Sequence, residues 1–138
     1  MKKIILLIDD DQDEFEFYHA ALHEINYPGN LIHASSAAQA LTILCNLTPD
    51  FIFVDYNMPY MNGLKCLEEI KKMPPLQQVP VILSSSVIND DMTQKAMTLG
   101  ASFCIRKSSK VQALAEILKN IFSMHTRFSN LYSLLAPN

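Results

Sequence analysis

The sequence has only three cysteines, and none of them lies near another in the chain. Cys45, Cys66 and Cys104 form no CxxC pair, and no histidine stands at metal-ligand spacing from any of them. This absence argues against a zinc site and against a redox dithiol. We interpret the three residues as free, packed thiols of a protein kept in a reducing compartment.

Positive charge and long apolar runs are also scarce. Eleven Lys and Arg residues stand against fourteen Asp and Glu residues, which gives a net charge of -3 and no basic footprint for direct nucleic-acid binding. No apolar run approaches the ~20 residues that cross a bilayer, so we predict no membrane span. The N-terminus MKKIILLIDDD passes directly from apolar residues to acids without a cleavage site, which favours a first strand over a signal peptide. We therefore predict a cytoplasmic protein.

What the sequence has in abundance is alternation of short apolar runs with amphipathic segments. The runs have the composition of parallel strands buried on both faces, and lie at 4–8, 31–34, 51–54, 81–83 and 103–105. The segments between and after them have helical spacing, and they predict five helices. We therefore predict one α/β domain, a doubly wound five-stranded parallel sheet in the order 2-1-3-4-5 with helices on both faces, as in flavodoxin-like folds.

Local signals agree with these boundaries. Ser36 and Gln39 match a capping box, Asn89 begins the fourth helix, and Gly100 stands where that helix would end in a left-handed residue. The pairs Pro28-Gly29 and Pro74-Pro75 predict loops.

Polar residues follow four of the five predicted strands, at the edge where an open parallel sheet keeps its ligand site. Asp9 and Asp10 follow the first strand, and Asp55 follows the third, which is the neighbour of the first in this topology. Two carboxylates about 4 Å apart repel by on the order of 4 kcal/mol at an effective dielectric near 20, so they need a proton or a cation. Oxygen ligands without His or Cys favour Mg²⁺. Helix capping and the helix dipole explain the neighbouring acids Asp11, Asp13 and Glu14.

Chemistry at this edge would centre on Asp55. A strand-end carboxylate beside a metal ion can attack phosphorus and form an aspartyl-phosphate. Lys107, directly after the fifth apolar run, could pair with phosphoryl oxygens, and Ser85, at the end of the fourth, offers a hydroxyl donor. Each of the three alone would be an ordinary loop or surface residue. Together they predict a phosphoryl-accepting site.

Four motifs in order give the chain a specific resemblance. ILLIDDD resembles the acidic pocket of response-regulator receiver domains, and FVDYNMPYMNG resembles their phosphorylation-site signature. VPVILSSS is similar to the strand that carries the family's hydroxyl, and GASFCIRK is similar to the strand that ends in its lysine. The resemblance extends from about Lys2 to Phe122, nearly the whole chain.

The resemblance implies a role for each matching residue. Asp55 would be the phosphoacceptor, and Asp10, Asp55 and the backbone carbonyl of Asn57 would bind Mg²⁺, with Asp9 acting largely through water. Ser85 would hydrogen-bond the phosphoryl group and Lys107 would neutralise it. The phosphodonor would be a sensor histidine kinase or a histidine phosphotransfer protein. The chain would be a stand-alone signalling domain rather than an enzyme, with at most self-catalysed phosphorylation and dephosphorylation, acting on an unidentified downstream protein.

Two positions depart from the family pattern. Ser108 follows Lys107 where the family usually has proline, often in a cis bond, and a cis bond without proline costs roughly 3 kcal/mol. The family's switch aromatic would align with Cys104, whereas the aromatic here is Phe103, one residue earlier and on the opposite face of the strand. We expect Phe103 to be buried against a helix and the usual hydroxyl–aromatic coupling to be lost.

Two other functions stay open at this point. A pseudo-receiver would keep the fold and signal through constitutive protein contacts; the intact acids, hydroxyl and lysine argue against it, and Ser108 and Cys104 leave it open. A phosphatase of related fold would need a second acid close to the nucleophile, but the residue two places after Asp55 is Asn57. The four histidines match no phosphotransfer or metal-binding pattern, and we assign them no role.

The C-terminal residues extend past the expected domain. We predict a receiver domain over residues 1–123 and an extension over residues 124–138. Apolar residues continue in the extension at Phe128, Leu131, Leu134 and Leu135, with no Gly or Pro before Pro137. This spacing favours a continued or additional amphipathic helix that packs on its own domain or on a second subunit, with a frayed terminus as the alternative.

Overall fold

Strands and helices alternate along the whole chain in the computed structural model, which describes the backbone of residues 2–135 and the side chains of residues 2–126. The strands are β1 (Lys3–Ile8), β2 (Gly29–Ala34), β3 (Phe51–Asp55), β4 (Val81–Ser85) and β5 (Phe103–Arg106). The helices are α1 (Gln12–Glu24), α2 (Ala37–Leu44), α3 (Gly63–Lys71), α4 (Asp90–Thr98) and α5 (Val111–Leu135). A short 3-10 helix, Pro74–Leu76, precedes β4.

The strands form one parallel sheet in the order β2-β1-β3-β4-β5, which confirms the predicted flavodoxin-like topology. Ile8 pairs with Val54 across β1 and β3, and Asp55 pairs with Ser84 across β3 and β4. Because all five strands run the same way, their carboxyl ends meet at one edge of the sheet. The acids, the serines and the lysine singled out in the sequence all follow or end strands at that edge.

The core explains why the strand sequences are almost continuously apolar. On one face, Leu6, Ile52 and Leu83 pack with α2, α3 and α4 and have no exposed surface. Ile5, Phe53 and Ile82, whose side chains alternate onto the other face, are also buried. Strands with both faces buried leave few positions for polar residues except at their ends.

Capping residues set the starts of the helices. Asn89 Oδ1 accepts from Met92 N at 2.8 Å, as predicted for α4, and Ser36 Oγ accepts from Gln39 N at 3.0 Å at the start of α2. A capping box has a second, reciprocal hydrogen bond from the side chain at Gln39 to the backbone of the capping residue. Here Gln39 Oε1 accepts from Ser35 N instead of Ser36 N, so the predicted box forms only in part. Gly100 has a φ of +107°, in keeping with its predicted left-handed position after α4.

Lys71 ties the end of α3 to the segment that leads into β4. Its Nζ donates to the backbone carbonyls of Leu76, Gln77 and Val79, the last at 2.7 Å. Burial lowers the pKa of this lysine. The predicted loop at Pro74-Pro75 is therefore an ordered 3-10 turn, whereas the loop predicted at Pro28-Gly29 is shorter than expected because β2 already begins at Gly29.

The chain divides into two compact units. One comprises residues 1–16 and 28–107 and contains the whole sheet; the other comprises residues 17–27 and 108–138. In the second unit the rings of Tyr27 and Phe122 stack with their centroids 4.2 Å apart. The predicted extension begins inside α5, which is one continuous helix to Leu135. The apolar side chains predicted for the extension, Phe128, Leu131, Leu134 and Leu135, lie outside the described residues. None of the described helices combines the length and apolar character needed to cross a membrane.

Candidate functional site

Three carboxylates meet at the carboxyl edge of the sheet. Asp9 follows β1, Asp10 is the next residue, and Asp55 is the last residue of β3, the neighbour of β1. One carboxylate oxygen from each lies within 4.8 Å of the others. Asp9 and Asp55 are buried, whereas Asp10 is exposed. The predicted acidic pocket therefore consists of two buried carboxylates and one exposed carboxylate.

Lys107 reaches into this pocket from the end of β5. Its Nζ lies 3.0 Å from Asp9 Oδ2 and 3.3 Å from Asp55 Oδ2, and its side chain is only 20% exposed. The backbone holds the lysine in place, because Lys107 N donates to the carbonyl of Ser85 at 2.9 Å. One cation therefore bridges two buried carboxylates that would otherwise repel each other.

The electrostatics favour incoming positive charge. Burial raises the pKa of Asp55, the charge of Asp9 raises it further, and Lys107 and the Asn57 N–H oppose these effects only in part. For Lys107, burial alone would lower the pKa, but the hydrogen bond to Asp9 and the surrounding carboxylates raise it above its ordinary value. The lysine is therefore firmly protonated, and the pocket has negative charge left for a further cation.

The remaining predicted residues lie on the adjoining strand ends and loops. Ser85 is buried at the end of β4, one residue beyond Ser84, the register partner of Asp55. Its Oγ accepts from Val87 N at 3.3 Å. Asn57 is exposed in the loop after β3, and its N–H donates to Asp55 Oδ1 at 3.3 Å. Asp55 is thus contacted by a backbone donor on one oxygen and by Lys107 on the other.

Glycine is required where α3 begins. Gly63 N donates to the Tyr56 carbonyl at 2.8 Å, and this bond closes the loop after Asp55. A Cβ on residue 63 would lie 2.5 Å from the Asp55 carbonyl oxygen and 2.8 Å from the Tyr56 Cα. Both are backbone atoms that cannot move without shifting Asp55. The glycine of the motif FVDYNMPYMNG therefore fixes the backbone that carries the central carboxylate.

His33, to which the sequence analysis assigned no role, contacts the site. Its Nε2 lies 2.7 Å from the Asp9 backbone carbonyl, a distance at which an Nε2–H donates a hydrogen bond. Its ring stacks on Phe15 at 5.4 Å between centroids. In the sequence, His33 stands next to the last residue of β2. Because β2 pairs with β1, residue 33 lies opposite Leu7, and this pairing could have indicated a position near the site.

Glu14 is the second residue near the site whose burial the sequence did not predict. It lies in the first turn of α1, as expected, but it is half-buried rather than solvated. Burial raises the pKa of its carboxyl group, and Asp9, Asp11 and Asp55 raise it further against the lowering effect of Lys107. A fourth carboxylate, that of Glu14, therefore interacts electrostatically with the predicted acidic pocket.

The two departures around β5 have structural outcomes. Cys104 packs on the same core as α2, α3 and α4, and burial raises the pKa of its thiol against the effect of a hydrogen bond with Thr93. Phe103 is only partly buried, whereas we expected it to be buried against a helix. β5 is an edge strand of the sheet and all its residues keep some exposure, which explains the difference.

No cis peptide bond occurs in the described residues. The bond between Lys107 and Ser108, where the family often has a cis proline, is therefore trans.

Comparison with known proteins agrees with this geometry. The family model "Response regulator receiver domain" matches residues 5–119, which include the acids, Ser85 and Lys107. The chain belongs to this family. Its sheet order and helices are those of the receiver domain, which is the domain found in response regulators of two-component signalling systems.

Individual relatives give the same assignment. A protein-glutamate methylesterase/protein-glutamine glutaminase of Caulobacter vibrioides is 32% identical over 131 residues, which are 88% of this chain and 36% of that protein. This chain thus spans about a third of that relative's length. The phosphorylated cyanobacterial phytochrome response regulator RcpA is 29% identical, with a TM-score of 0.77 over 88% of this chain and 91% of that one. Chemotaxis protein CheY4 of Vibrio cholerae is 19% identical and shares the fold, with a TM-score of 0.78 over 87% and 98%.

Proposed function

We propose that this receiver accepts a phosphoryl group on Asp55 and signals through altered protein contacts. The observation that carries the proposal is the buried Asp55 carboxylate, held 3.3 Å from the Lys107 ammonium inside a group of three acids. A solvated or structural aspartate would need neither the second buried acid nor the shared lysine. The related RcpA structure was determined in its phosphorylated form, at 29% identity.

The reaction is a phosphoryl transfer between two nucleophiles. A carboxylate oxygen of Asp55 attacks the phosphorus, and the bond from phosphorus to the donor nitrogen of a phosphohistidine breaks. The electron pair of that bond leaves with the imidazole, which takes a proton from solvent. Burial disfavours the charged form of Asp55, and Lys107 together with the Asn57 N–H stabilises the carboxylate that must attack.

The donor set fits a magnesium ion. The three clustered ligands are all carboxylate oxygens, and one of them, Asp10, faces solvent, so that an ion would keep bound waters. We assign Asp10, Asp55 and the Asn57 backbone carbonyl as direct ligands, with Asp9 acting largely through water. When bound, Mg²⁺ would neutralise the acids and reduce the repulsion met by an incoming phosphoryl group.

Two residues would hold the transferred group. Lys107 would pair with a phosphoryl oxygen in place of one of its two carboxylates, since its Nζ already lies within 3.3 Å of the acceptor oxygen. Ser85 would donate its hydroxyl hydrogen to another phosphoryl oxygen, because its Oγ accepts rather than donates in the bond to Val87 N.

The partners follow from the chemistry of the family. A sensor histidine kinase or a histidine phosphotransfer protein would supply the phosphoryl group, in the cytoplasm. The new charge of about -2 on Asp55 would rearrange the loops after β3 and β4, and a downstream protein would bind the altered surface.

Intact-mass measurement after treatment with acetyl phosphate and Mg²⁺ tests the proposal. We expect the wild-type chain to gain one phosphoryl group and Asp55→Asn to gain none. The exposed neighbour Asp13 provides the matched control, because Asp13→Asn removes a carboxylate near the pocket without touching the acceptor. Asp10→Asn should react only at higher Mg²⁺ concentration. A phosphoryl gain that persists in Asp55→Asn, or that is indifferent to a chelator, would contradict the proposal.

A further inference from the structure

Asp9 is held by hydrogen bonds at each of its polar groups. Its backbone N–H donates to the carbonyl of Ala34, the last residue of β2, at 3.0 Å. Its carboxylate accepts from Asp11 N through Oδ1 and from Lys107 Nζ through Oδ2, each at 3.0 Å. Its backbone carbonyl lies 2.7 Å from His33 Nε2. Because a carbonyl oxygen can only accept, this ring nitrogen carries the hydrogen and donates it.

The fold places the His33 side chain at this carbonyl. His33 lies opposite Leu7 in the parallel pairing of β1 with β2. β2 ends at Ala34, and beyond the strand it is this side chain that donates to the Asp9 carbonyl. The ring also stacks on Phe15 of α1, with the centroids 5.4 Å apart and the ring planes at 29°. The strand and the stacked ring together restrict His33 to an orientation that brings Nε2 to Asp9.

The Asp9 carbonyl belongs to the peptide group that joins Asp9 to Asp10. A peptide group is planar and rigid, so a hydrogen bond that fixes its carbonyl also fixes the direction of the chain at both flanking Cα atoms. The Asp10 side chain is exposed, so its backbone, rather than packing, determines where its carboxylate lies. One carboxylate oxygen each of Asp9, Asp10 and Asp55 lies within 4.8 Å of the others. Rotation of this peptide group would shift the Asp10 carboxylate relative to the two buried acids.

We propose that His33 is a positioning residue for the magnesium site, because its bond to the Asp9 carbonyl holds the peptide between Asp9 and Asp10 with both carboxylates in place for the ion. This role rests on the proposed magnesium site. Groups that orient metal ligands without touching the metal typically contribute about 10- to 100-fold to its affinity. Since His33 acts on the ligands and does not contact the acceptor carboxylate, its loss should appear in the Mg²⁺ affinity and not in the maximal rate of phosphorylation.

Calorimetric titration of the full chain with Mg²⁺ tests the proposal. His33→Phe keeps a ring to stack on Phe15 but has no donor, and it should weaken Mg²⁺ binding about tenfold. His33→Gln should restore most of the affinity, because the Nε2 donor of glutamine is as many bonds from Cα as that of histidine. His33→Met has nearly the length of glutamine without a donor, and it should bind Mg²⁺ as weakly as His33→Phe.

Two further measurements separate positioning from general stability. Ile32, the preceding residue of β2, packs on the core at the opposite face of the sheet. Ile32→Ala should therefore lower the stability and leave the Mg²⁺ affinity unchanged. Phosphorylation of His33→Phe by acetyl phosphate should be slow at limiting Mg²⁺ and should approach the wild-type rate at saturating Mg²⁺, since the contact of Lys107 with Asp55 is unaltered.

Each outcome bears on the role of His33. Wild-type affinity in His33→Phe and His33→Met would overturn it, as would equal weakening in His33→Gln or in Ile32→Ala. If His33→Phe fails to fold, the comparison of His33→Gln with His33→Met decides by itself. A wild-type chain that binds no Mg²⁺ would overturn the magnesium site and this role together. Mg²⁺-dependent phosphorylation of Asp55 with unaltered affinity in His33→Phe would overturn this role alone.

Discussion

Lys107 is the residue on which the geometry of the site depends most. Its ammonium lies between two carboxylates that have 1% and 4% of their residue surface exposed. Each acid therefore depends on the lysine for its charge balance until another cation binds. A buried charge that loses its partner is far more costly than an exposed one.

Removing the ammonium should consequently destabilise the protein. We expect Lys107→Met to lower the free energy of unfolding by about 2 kcal/mol in the absence of divalent ions, and Mg²⁺ to restore part of the loss. Urea unfolding with chelator and with Mg²⁺ measures both effects. Lys95→Met is a suitable control, because that lysine forms an exposed pair with Asp91. Equal stability of Lys107→Met and the wild type would show that the bridge contributes nothing.

Asp55 gives a prediction of opposite sign. Its pKa is raised in the folded protein, chiefly by burial, so the fold retains a proton on Asp55 over a pH range in which the unfolded chain has released it. Stability is therefore lost as pH rises from the ordinary value of 3.8 through the raised value. At neutral pH without divalent ions, Asp55→Asn should melt at a higher temperature than the wild type. The difference should shrink as the pH is lowered toward 4, and a gain that is constant with pH would contradict this account.

At the scale of the elements, the strand ends and the loop after β3 determine where the site lies. Ser85 and Lys107 are linked by a backbone hydrogen bond between β4 and the end of β5, and Tyr56 N donates to the Ser84 carbonyl. The start of α3 fits tightly against the backbone of Asp55 through Gly63. The sheet register and this close approach together hold the carboxylate in place.

Gly63 should therefore not tolerate even one methyl group. We expect Gly63→Ala to cost about 2–3 kcal/mol of stability and to slow phosphorylation, since its Cβ would meet backbone atoms of Asp55 and Tyr56. Gly100→Ala offers the comparison. There the new Cβ meets the flexible Lys71 stem at 3.2 Å, and the cost is the positive φ, about 1 kcal/mol. If the two variants are equally stable, the contact at residue 63 relaxes more easily than its geometry implies.

The elements and the central residues could be predicted from the sequence because they follow from local periodicity. Apolar runs predicted the strands, and parallel topology then brought Asp9, Asp55 and Lys107 to one edge. The contact of His33 with the Asp9 carbonyl and the burial of Glu14 depend on how the elements pack together, which no local pattern specifies. The predicted order 2-1-3-4-5 already placed β5 at an edge of the sheet, but its continuous apolar run led us to expect a buried Phe103, and how far an edge strand is covered depends on packing.

At the scale of the whole molecule, α5 continues beyond the part of the chain that matches the receiver family. The family match ends at residue 119, whereas α5 continues to Leu135. None of the described residues of the proposed phosphoryl site belongs to the second half of this helix.

Truncation after Ser123 tests the prediction that the extension packs on its own domain or on a second subunit. The shortened chain should stay monomeric, keep its phosphorylation by acetyl phosphate, and melt at a temperature that does not change with protein concentration. The full chain should melt at a higher temperature if the extension packs on its own domain, and at a temperature that rises with concentration if it packs on a second subunit, because association stabilises the folded form by mass action. Thermal unfolding at several concentrations, with mass by light scattering on the same samples, measures both quantities. If truncation changes neither the mass nor the melting behaviour, the extension contributes no packing, while the proposal on Asp55 is unaffected.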